Sequence, residues 1–322
     1  MKSKRLSIAI PTYNRSEILK ENLLFMIDEI KEFSISIYIS DDSTNDNTEK
    51  VVFNLKKEHE YIYYHKNKPS LGHDKNCIAT LNLPSEDYVW YLGDSIIIKK
   101  GGIKEVLRII NMQEYDFISV NADGRDLNIR EKVFEDGNEL LVDLGWHLTM
   151  TGTTIYSKNI LMDLKSLDLT KCRNFPQMAI IFKEFSKEGK KLYWLNDKIV
   201  YGNKLKRCYW RSNVFNVFLY DWDYFIFNLP EYYNSENKLV TIKKHSDRTR
   251  LFSLLNFASY RADGVFSLKI LTQYFKLIRS NSNVNILILF IIALIPQSVF
   301  KLLKKMYKLK QLNKSRGGKN IN

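Results

Sequence analysis

Four short stretches in the first hundred residues carry the side chains best suited to chemistry: PTYNR (11–15), SDDSTNDNT (40–48), NKPSLGHDKN (67–76) and YLGDS (91–95). Each begins where an apolar run stops. Open α/β sheets bind ligands in the crevice beyond the carboxyl ends of their strands. Asp41 and Asp42 are carboxylates of the kind that accept hydrogen bonds from a ribose or a base edge. The Ser-Thr-Asn-Asp-Asn-Thr that follows is also good helix-capping chemistry, so turning the chain is the other reading of this cluster. Asp94 ends a buried run after Gly93, and a carboxylate there is costly without a partner. A hard cation carried on a diphosphate would supply one and would offset the charge on a departing group; a turn aspartate is the competing reading. Arg15 and Lys75 are side-chain cations for a phosphate, although Lys75 reads equally well as a solvated helix residue. No GxGxxG follows the first run and no GxxxxGK[ST] occurs anywhere, which argues against nicotinamide and P-loop nucleotide sites.

These residues need strand ends to hold them, and the pattern provides strands. Leu6–Ile10, Ile35–Ile39, Tyr61–Tyr64, Tyr88–Leu92 and Phe117–Val120 are short apolar runs bounded by turn residues. Between them lie helical patterns: from Ser16, with Ile18, Leu19, Leu23, Met26, Ile27 and Ile30 on one face, then Asp46–Lys57, His73–Leu83 and Gly102–Asn111. Strand and helix in alternation imply a mainly parallel sheet flanked by helices, the α/β class. Residues 121–145 read as loops around Gly124, Gly137 and Gly145; residues 151–210 contain one clear helix near Pro176–Lys187. Residues 211–280 are aromatic and read as helical.

The chain has 322 residues and a formal charge of +13, unevenly spread: no Asp or Glu follows Asp263. A basic block of this kind points to an anionic surface. Residues 286–295 are ten uninterrupted apolar residues; Pro296 ends them and VFKLLKKMYKLK follows. A spanning helix needs about 20 apolar residues, so a monotopic or re-entrant membrane segment over 284–322 is expected instead, against a C-terminal helix packed on the body with a solvated basic tail. Cys77, Cys172 and Cys208 have no metal or disulfide spacing and read as buried thiols in a reducing compartment. The opening MKSKRLSIAI lacks the apolar core and cleavage site of a signal peptide, so the body is expected at the cytoplasmic face of the membrane.

Taken together, the four stretches resemble the family 2 glycosyltransferases of GT-A (Rossmann-like) fold, over residues 5–110. LSIAIPTYNR is similar to that family's first strand and loop, SDDSTNDNT to its Asp-Asp-Gly-Ser-Thr-Asp-x-Thr pattern, and NKPSLGHDKN to its Asn-x-Gly…Arg-Asn stretch, with Lys75 in the arginine's place and Asn76 on the asparagine. DYVWYLGDS falls where the family carries its Asp-x-Asp metal motif, and looks nearest to the O-antigen and capsule transferases of the abequosyltransferase-like group. The resemblance implies a donor domain over about 1–120, an acceptor half over 121–210 and a helical region over 211–322. It implies a nucleotide-sugar donor against Pro11, Tyr13, Arg15, Asp41 and Asp42, with Lys75, Asn76, Gly93 and Asp94 at the diphosphate. It further implies Mg²⁺ or Mn²⁺ on Asp94, a lipid-linked glycan acceptor and inversion of the sugar. The metal motif departs from the family at Ser95 and Ile96, and the usual Glu-Asp base is replaced by 174–177. His147 then stands as the candidate base, a buried structural histidine being the competing reading, with Asp143 next. Trp146, Trp194, Trp210 and Trp222 are either core or platforms for an acceptor sugar. The alternative from the lost acids is a catalytically degenerate partner subunit that only binds donor. A nucleic-acid binder ranks last, because the basic residues cluster beside an apolar run rather than interleaving with aromatics across a sheet.

Overall fold

The computed structural model describes residues 5–125, 127–203 and 209–317. Cys208 lies outside them. The chain divides into two compact units, one of residues 1–207 with 224–241 and one of 208–223 with 242–322. The first unit therefore reclaims residues 224–241, beyond the boundary at 210 expected from sequence.

The first unit is built on a nine-stranded sheet in the order β3-β2-β1-β4-β8-β6-β9-β5, with β7 also on β9. Its first strands are β1 (Leu6–Thr12), β2 (Ser36–Asp41), β3 (Ile62–Lys66) and β4 (Tyr88–Tyr91), all parallel. They alternate with α1 (Ser16–Glu32), α2 (Asn47–Lys56) and α3 (His73–Asn82). β1 is the inner strand, and Ile8, Ala9 and Ile10 on it are buried, as continuous apolar runs in helix-covered parallel sheets are. Leu19, Leu23, Met26 and Ile30 of α1 recur every three or four residues and are all buried, which is the stripe such a helix needs to cover one sheet face.

Beyond β4 the sheet is mixed. β5 (Ile96–Ile98), α4 (Gly102–Met112) and β6 (Phe117–Ala122) follow, then β7 (Lys132–Phe134), α5 (Gly137–Leu148), β8 (Thr154–Ser157), α6 (Pro176–Glu184) and β9 (Leu192–Gly202). β8 runs antiparallel between β4 and β6, and β9 pairs parallel with β6 but antiparallel with β5 and β7. The expectation of loops over 121–145 is corrected: β7 and α5 lie there. Gly137 and Gly145 are packing positions rather than breaks. A Cβ on Gly145 would sit 2.9 Å from Thr241 Cγ2, and one on Gly137 2.9 Å from Tyr232 Cε1.

The second unit is helical. After α7 (Trp222–Phe227) and α8 (Ser235–Thr249), within each of which the chain crosses between the units, come α9 (Leu254–Ala262), α10 (Leu268–Gln273), α11 (Phe275–Asn281), α12 (Ile286–Leu294) and α13 (Gln297–Gly317). Phe215 centres its core, with Phe252, Phe257, Tyr260 and Phe266 at ring distances of 5.6–6.0 Å.

Candidate active site

β1 has β2 on one side and β4 on the other, so the sheet switches direction there and a crevice opens at the carboxyl ends. The loop after β1 and the turn after β4 meet in it. Arg15 Nη1 donates to Asp94 Oδ1 at 3.0 Å and Thr12 Oγ1 donates to Asp94 Oδ2 at 3.1 Å. The carboxylate that sequence reasoning found costly thus has a cation and a hydroxyl as partners. Asn14 takes a left-handed turn (φ 53°), a conformation that asparagine tolerates. Its Oδ1 accepts from the Thr44 N–H and from Asn45 Nδ2, while its own N–H donates to Ser43 Oγ. The loops after β1 and β2 are thereby zipped together.

Asp41 and Asp42 face inward and are 0% and 2% exposed. Asp41 accepts from the Ser43 N–H, from Tyr64 Oη at 2.7 Å and from Lys66 Nζ at 3.1 Å. Asp42 accepts four hydrogen bonds: Oδ1 from Asn67 Nδ2 (3.1 Å) and the Leu71 N–H (2.7 Å), Oδ2 from Ser70 Oγ (2.7 Å) and the Gly72 N–H (2.9 Å). Through these bonds the pair holds the walls of the site, Asp41 at β3 and Asp42 at the 67–72 loop that leads into α3. Asn76 shares this task, since its Oδ1 accepts from Ser40 Oγ and Asn67 Nδ2.

The exposed groups at the crevice are others. Tyr13 is 51% exposed and Pro11 is half-buried beside it. Lys75 is exposed in the first turn of α3, where the helix dipole adds to its positive charge. Gly93 is required by packing: a Cβ there would lie 2.6 Å from Thr151 Oγ1. Ser95 and Ile96 are buried, and Ile96 pairs with Gly202 of β9. Their departure from an acidic pattern accompanies a core strand, β5, that begins at the second of them.

The donor set bears on a divalent metal. Among the described residues no three of His, Cys, Asp and Glu gather to form a metal site, and Asp94 is the carboxylate at the junction of the loops. One carboxylate suits a cation that takes its remaining ligands from a diphosphate and water, as Mg²⁺ commonly does. It does not suit a cation caged by protein alone.

His147 belongs to the core. It is fully buried, its Nε2 lies 2.9 Å from the Val120 carbonyl oxygen, and its ring packs edge-on against Trp194. Burial, reinforced by the Arg125 guanidinium, pushes its pKa down to about 3. With no path to solvent it cannot take a proton from an acceptor, and the catalytic expectation for it is corrected. Asp143 forms an ion pair with Lys132 at 3.7 Å. Trp146, Trp194 and Trp222 are also core, and Trp210 packs edge-on against Phe218 at 5.0 Å. Cys77 and Cys172 are buried thiols that burial pushes up to about 12.

Several contributors escaped sequence reasoning. Asn22, on the buried face of α1, donates to the Asp94 carbonyl at 2.7 Å and accepts from Asn203 Nδ2 at 2.6 Å; the Asn203 N–H in turn bonds the Ser95 carbonyl. An amide interrupting the apolar stripe at the i+3 position from Leu19 was the available signal. Asp74 accepts from the Asn174 N–H at 3.1 Å and pairs with His73 at 2.7 Å, tying α3 to the segment before α6. No local pattern announces a contact across a hundred residues.

Comparison with known proteins agrees with this architecture. The family model "Glycosyl transferase family 2" matches residues 7–188. The abequosyltransferase RfbV of Salmonella typhimurium is 36% identical over 101 residues, 30% of each chain. The GalNAc(5)-diNAcBac-PP-undecaprenol beta-1,3-glucosyltransferase of Campylobacter jejuni is 30% identical over 108 residues, 33% of this chain and 35% of the relative. The matched stretch thus spans about a third of each of these relatives. Staphylococcus aureus TarS 1–349 in complex with UDP-GlcNAc superposes with a TM-score of 0.55 at 16% identity, covering 86% of this chain and 82% of that one. The mannosyltransferase PcManGT of Pyrobaculum calidifontis, in complex with GDP-Man and Mn²⁺, gives 0.55 at 13% identity, covering 86% and 80%. With a GT-A sheet, loops gathered at its switch point and a family match over more than half its length, the chain belongs to glycosyl transferase family 2.

Proposed function

We propose that this chain moves a sugar from a nucleotide-sugar donor to a hydroxyl of a lipid-linked glycan in bacterial cell-surface polysaccharide synthesis, with inversion at the anomeric carbon, at the cytoplasmic face of the membrane. The observation that carries the reading is the Arg15–Asp94 pair at the switch point of the sheet. It is supported by the relatives' names, one of which contains an undecaprenol-linked glycan, and by neighbours solved with UDP-GlcNAc and with GDP-Man.

The nucleoside would lie on Tyr13 and Pro11, between the zipped β1 and β2 loops and the 67–72 loop. The diphosphate would meet Lys75, the start of α3 and Arg15. The acceptor oxygen attacks the anomeric carbon as the bond from that carbon to the diphosphate oxygen breaks; the electron pair leaves on the diphosphate and the hydroxyl proton passes to a base. The residues nearest the departing charge are cations, and stabilising charge where it develops is the larger part of such catalysis. Asp94 would hold Mg²⁺ or Mn²⁺, which when bound offsets the charge on the diphosphate. Asp94 also fixes Arg15, so the carboxylate serves in either circumstance.

A panel of nucleotide sugars, with and without Mn²⁺, tests the donor by thermal shift, because a ligand that binds only the folded state raises the melting temperature. One nucleotide class should raise it. Asp94→Ala should then lower transfer by at least about 100-fold, the order lost when a charge-stabilising group is removed, with the fold retained by circular dichroism. Unchanged turnover in that variant would remove Asp94 from the reaction. Donor binding without transfer by the unaltered chain would favour the degenerate partner subunit.

A further inference from the structure

The outward faces of α12 and α13 are apolar, while one of the lysines of α13 is turned inward. On α12, Leu289, Ile292 and Ala293 are buried, and Leu287, Ile291 and Leu294 are each more than half exposed. On α13, Phe300 is buried and Lys304, one turn later, pairs with Asp263 at 2.6 Å. Leu302, Leu303 and Met306 lie on another side and are each more than half exposed. Ten of the twenty-six exposed large apolar side chains among the described residues fall within 287–309, so this is a concentrated patch and not ordinary scatter.

The arrangement is held in place. Arg261 donates two hydrogen bonds to the Ile295 carbonyl, at 2.8 and 3.0 Å, and Gln297 Nε2 donates to the Ala262 carbonyl at 3.1 Å. These contacts lock the corner between the helices onto α9. Neither stripe can turn inward without breaking them. No single helix among the described residues is long and apolar enough to cross a membrane, and α12 with the first half of α13 passes that test only as a pair bent by 101°.

Charge selects the occupant. After Asp263 the sequence has eleven Lys and Arg and no Asp or Glu. Lys301 and Lys305 are exposed and, at the helical repeat, lie between the inward face and the Leu302–Met306 stripe. Lysines bordering an apolar stripe can reach headgroups while the stripe enters the acyl boundary. Two copies of the chain would bring two uncompensated basic segments together, and nucleic acid gives the apolar stripe nothing to bury against.

We infer that α12 and α13 dock in the plane of an anionic lipid surface, their exposed leucines, isoleucine and methionine inserted and Lys301 and Lys305 at the headgroups. This adds to the sugar-transfer reading the surface on which a lipid-linked acceptor would be met. Vesicle binding involves no sugar chemistry, so the two can fail separately.

The test is flotation of the full chain with vesicles of phosphatidylcholine alone or of an equimolar mixture with phosphatidylglycerol. Removing 284–322 is the wrong variant, because it also takes away buried Leu289, Ile292 and Phe300. Substitutions at exposed positions avoid this. The unaltered chain should float with the anionic vesicles and much less with phosphatidylcholine. Lys301→Gln with Lys305→Gln should weaken anionic binding about 25-fold, at roughly five-fold for each lysine near such a surface. Leu302→Ser, Leu303→Ser and Met306→Ser together should weaken binding at least about ten-fold, with melting temperature and elution volume unchanged. Equal binding to both vesicles, or none, would overturn the inference. So would a dimer that the serine variant dissolves, or duplex DNA binding that persists in that variant while vesicles are ignored.

Discussion

Asp42 offers the sharpest separation between a residue that builds the donor site and one that touches the donor. Its two carboxylate oxygens accept from the Leu71 and Gly72 backbone N–H groups, one on each oxygen, as well as from Asn67 and Ser70. Asp42→Asn is isosteric, but one oxygen becomes an NH₂. Whichever way the amide turns, one backbone N–H then faces a donor. The loss is one hydrogen bond to a charged acceptor, about 1.5–3 kcal/mol, plus the cost of the N–H left without a partner. A total near 3 kcal/mol shifts the docking equilibrium of the 67–72 loop by roughly 100-fold. Because Leu71 and Gly72 are exposed, the opening is local and the melting temperature should move little. Hydrogen exchange at the Leu71 and Gly72 amides should accelerate by roughly that factor, and donor affinity should fall only as far as the loop is undocked. Bound donor should restore protection. If exchange at both amides is unchanged while donor affinity collapses, Asp42 is a direct ligand and the wall-building account is wrong.

Two further predictions concern the packing around the site. His147 has its pKa lowered by burial, so it contributes stability above its unfolded value near 6.5, and that stability drains away as pH falls toward about 3. Between neutrality and about pH 4.5 the loss is about 3 kcal/mol; urea unfolding should show it, and His147→Gln, which keeps a donor for the Val120 carbonyl, should lose correspondingly less. The same pH loss in both proteins would assign the acid sensitivity elsewhere. Gly93→Ala should cost about 1–3 kcal/mol through overpacking against Thr151 Oγ1, and adding Thr151→Ala should recover most of it. A double variant no more stable than Gly93→Ala alone would show that backbone and not side-chain crowding demands the glycine.

The strand ends were legible because each apolar run is short, bounded and followed by its own polar cluster. Leu6–Thr12, Ser36–Asp41, Ile62–Lys66 and Tyr88–Tyr91 lie where periodicity and turn residues put them. α5 was missed because Gly137 and Gly145 read as breakers, and the reason they are glycines, Tyr232 and Thr241, lies about a hundred residues downstream. β9 had no continuous apolar signal, because Asn196-Asp197-Lys198 interrupts it; there the register against β6 shifts at Val120/Asn121. The antiparallel insertion of β8 between β4 and β6 has no local signature either.

Residue types along the chain therefore determined which side chains stand at the carboxyl ends of the parallel strands, since burial and turn chemistry act over a few neighbours. Which of them turn inward depended on tertiary structure. Asp41, Asp42, Asp94 and His147 are all polar groups beside apolar runs, alike in sequence. Asp94 is set against Arg15 by the adjacency of β1 and β4, Asp41 and Asp42 are consumed by Lys66 and the 67–72 loop, and His147 is enclosed by Trp194 and the Val120 carbonyl. A buried polar group must find its partner wherever the fold brings one, and those partners come from strands and loops that sequence distance does not reveal.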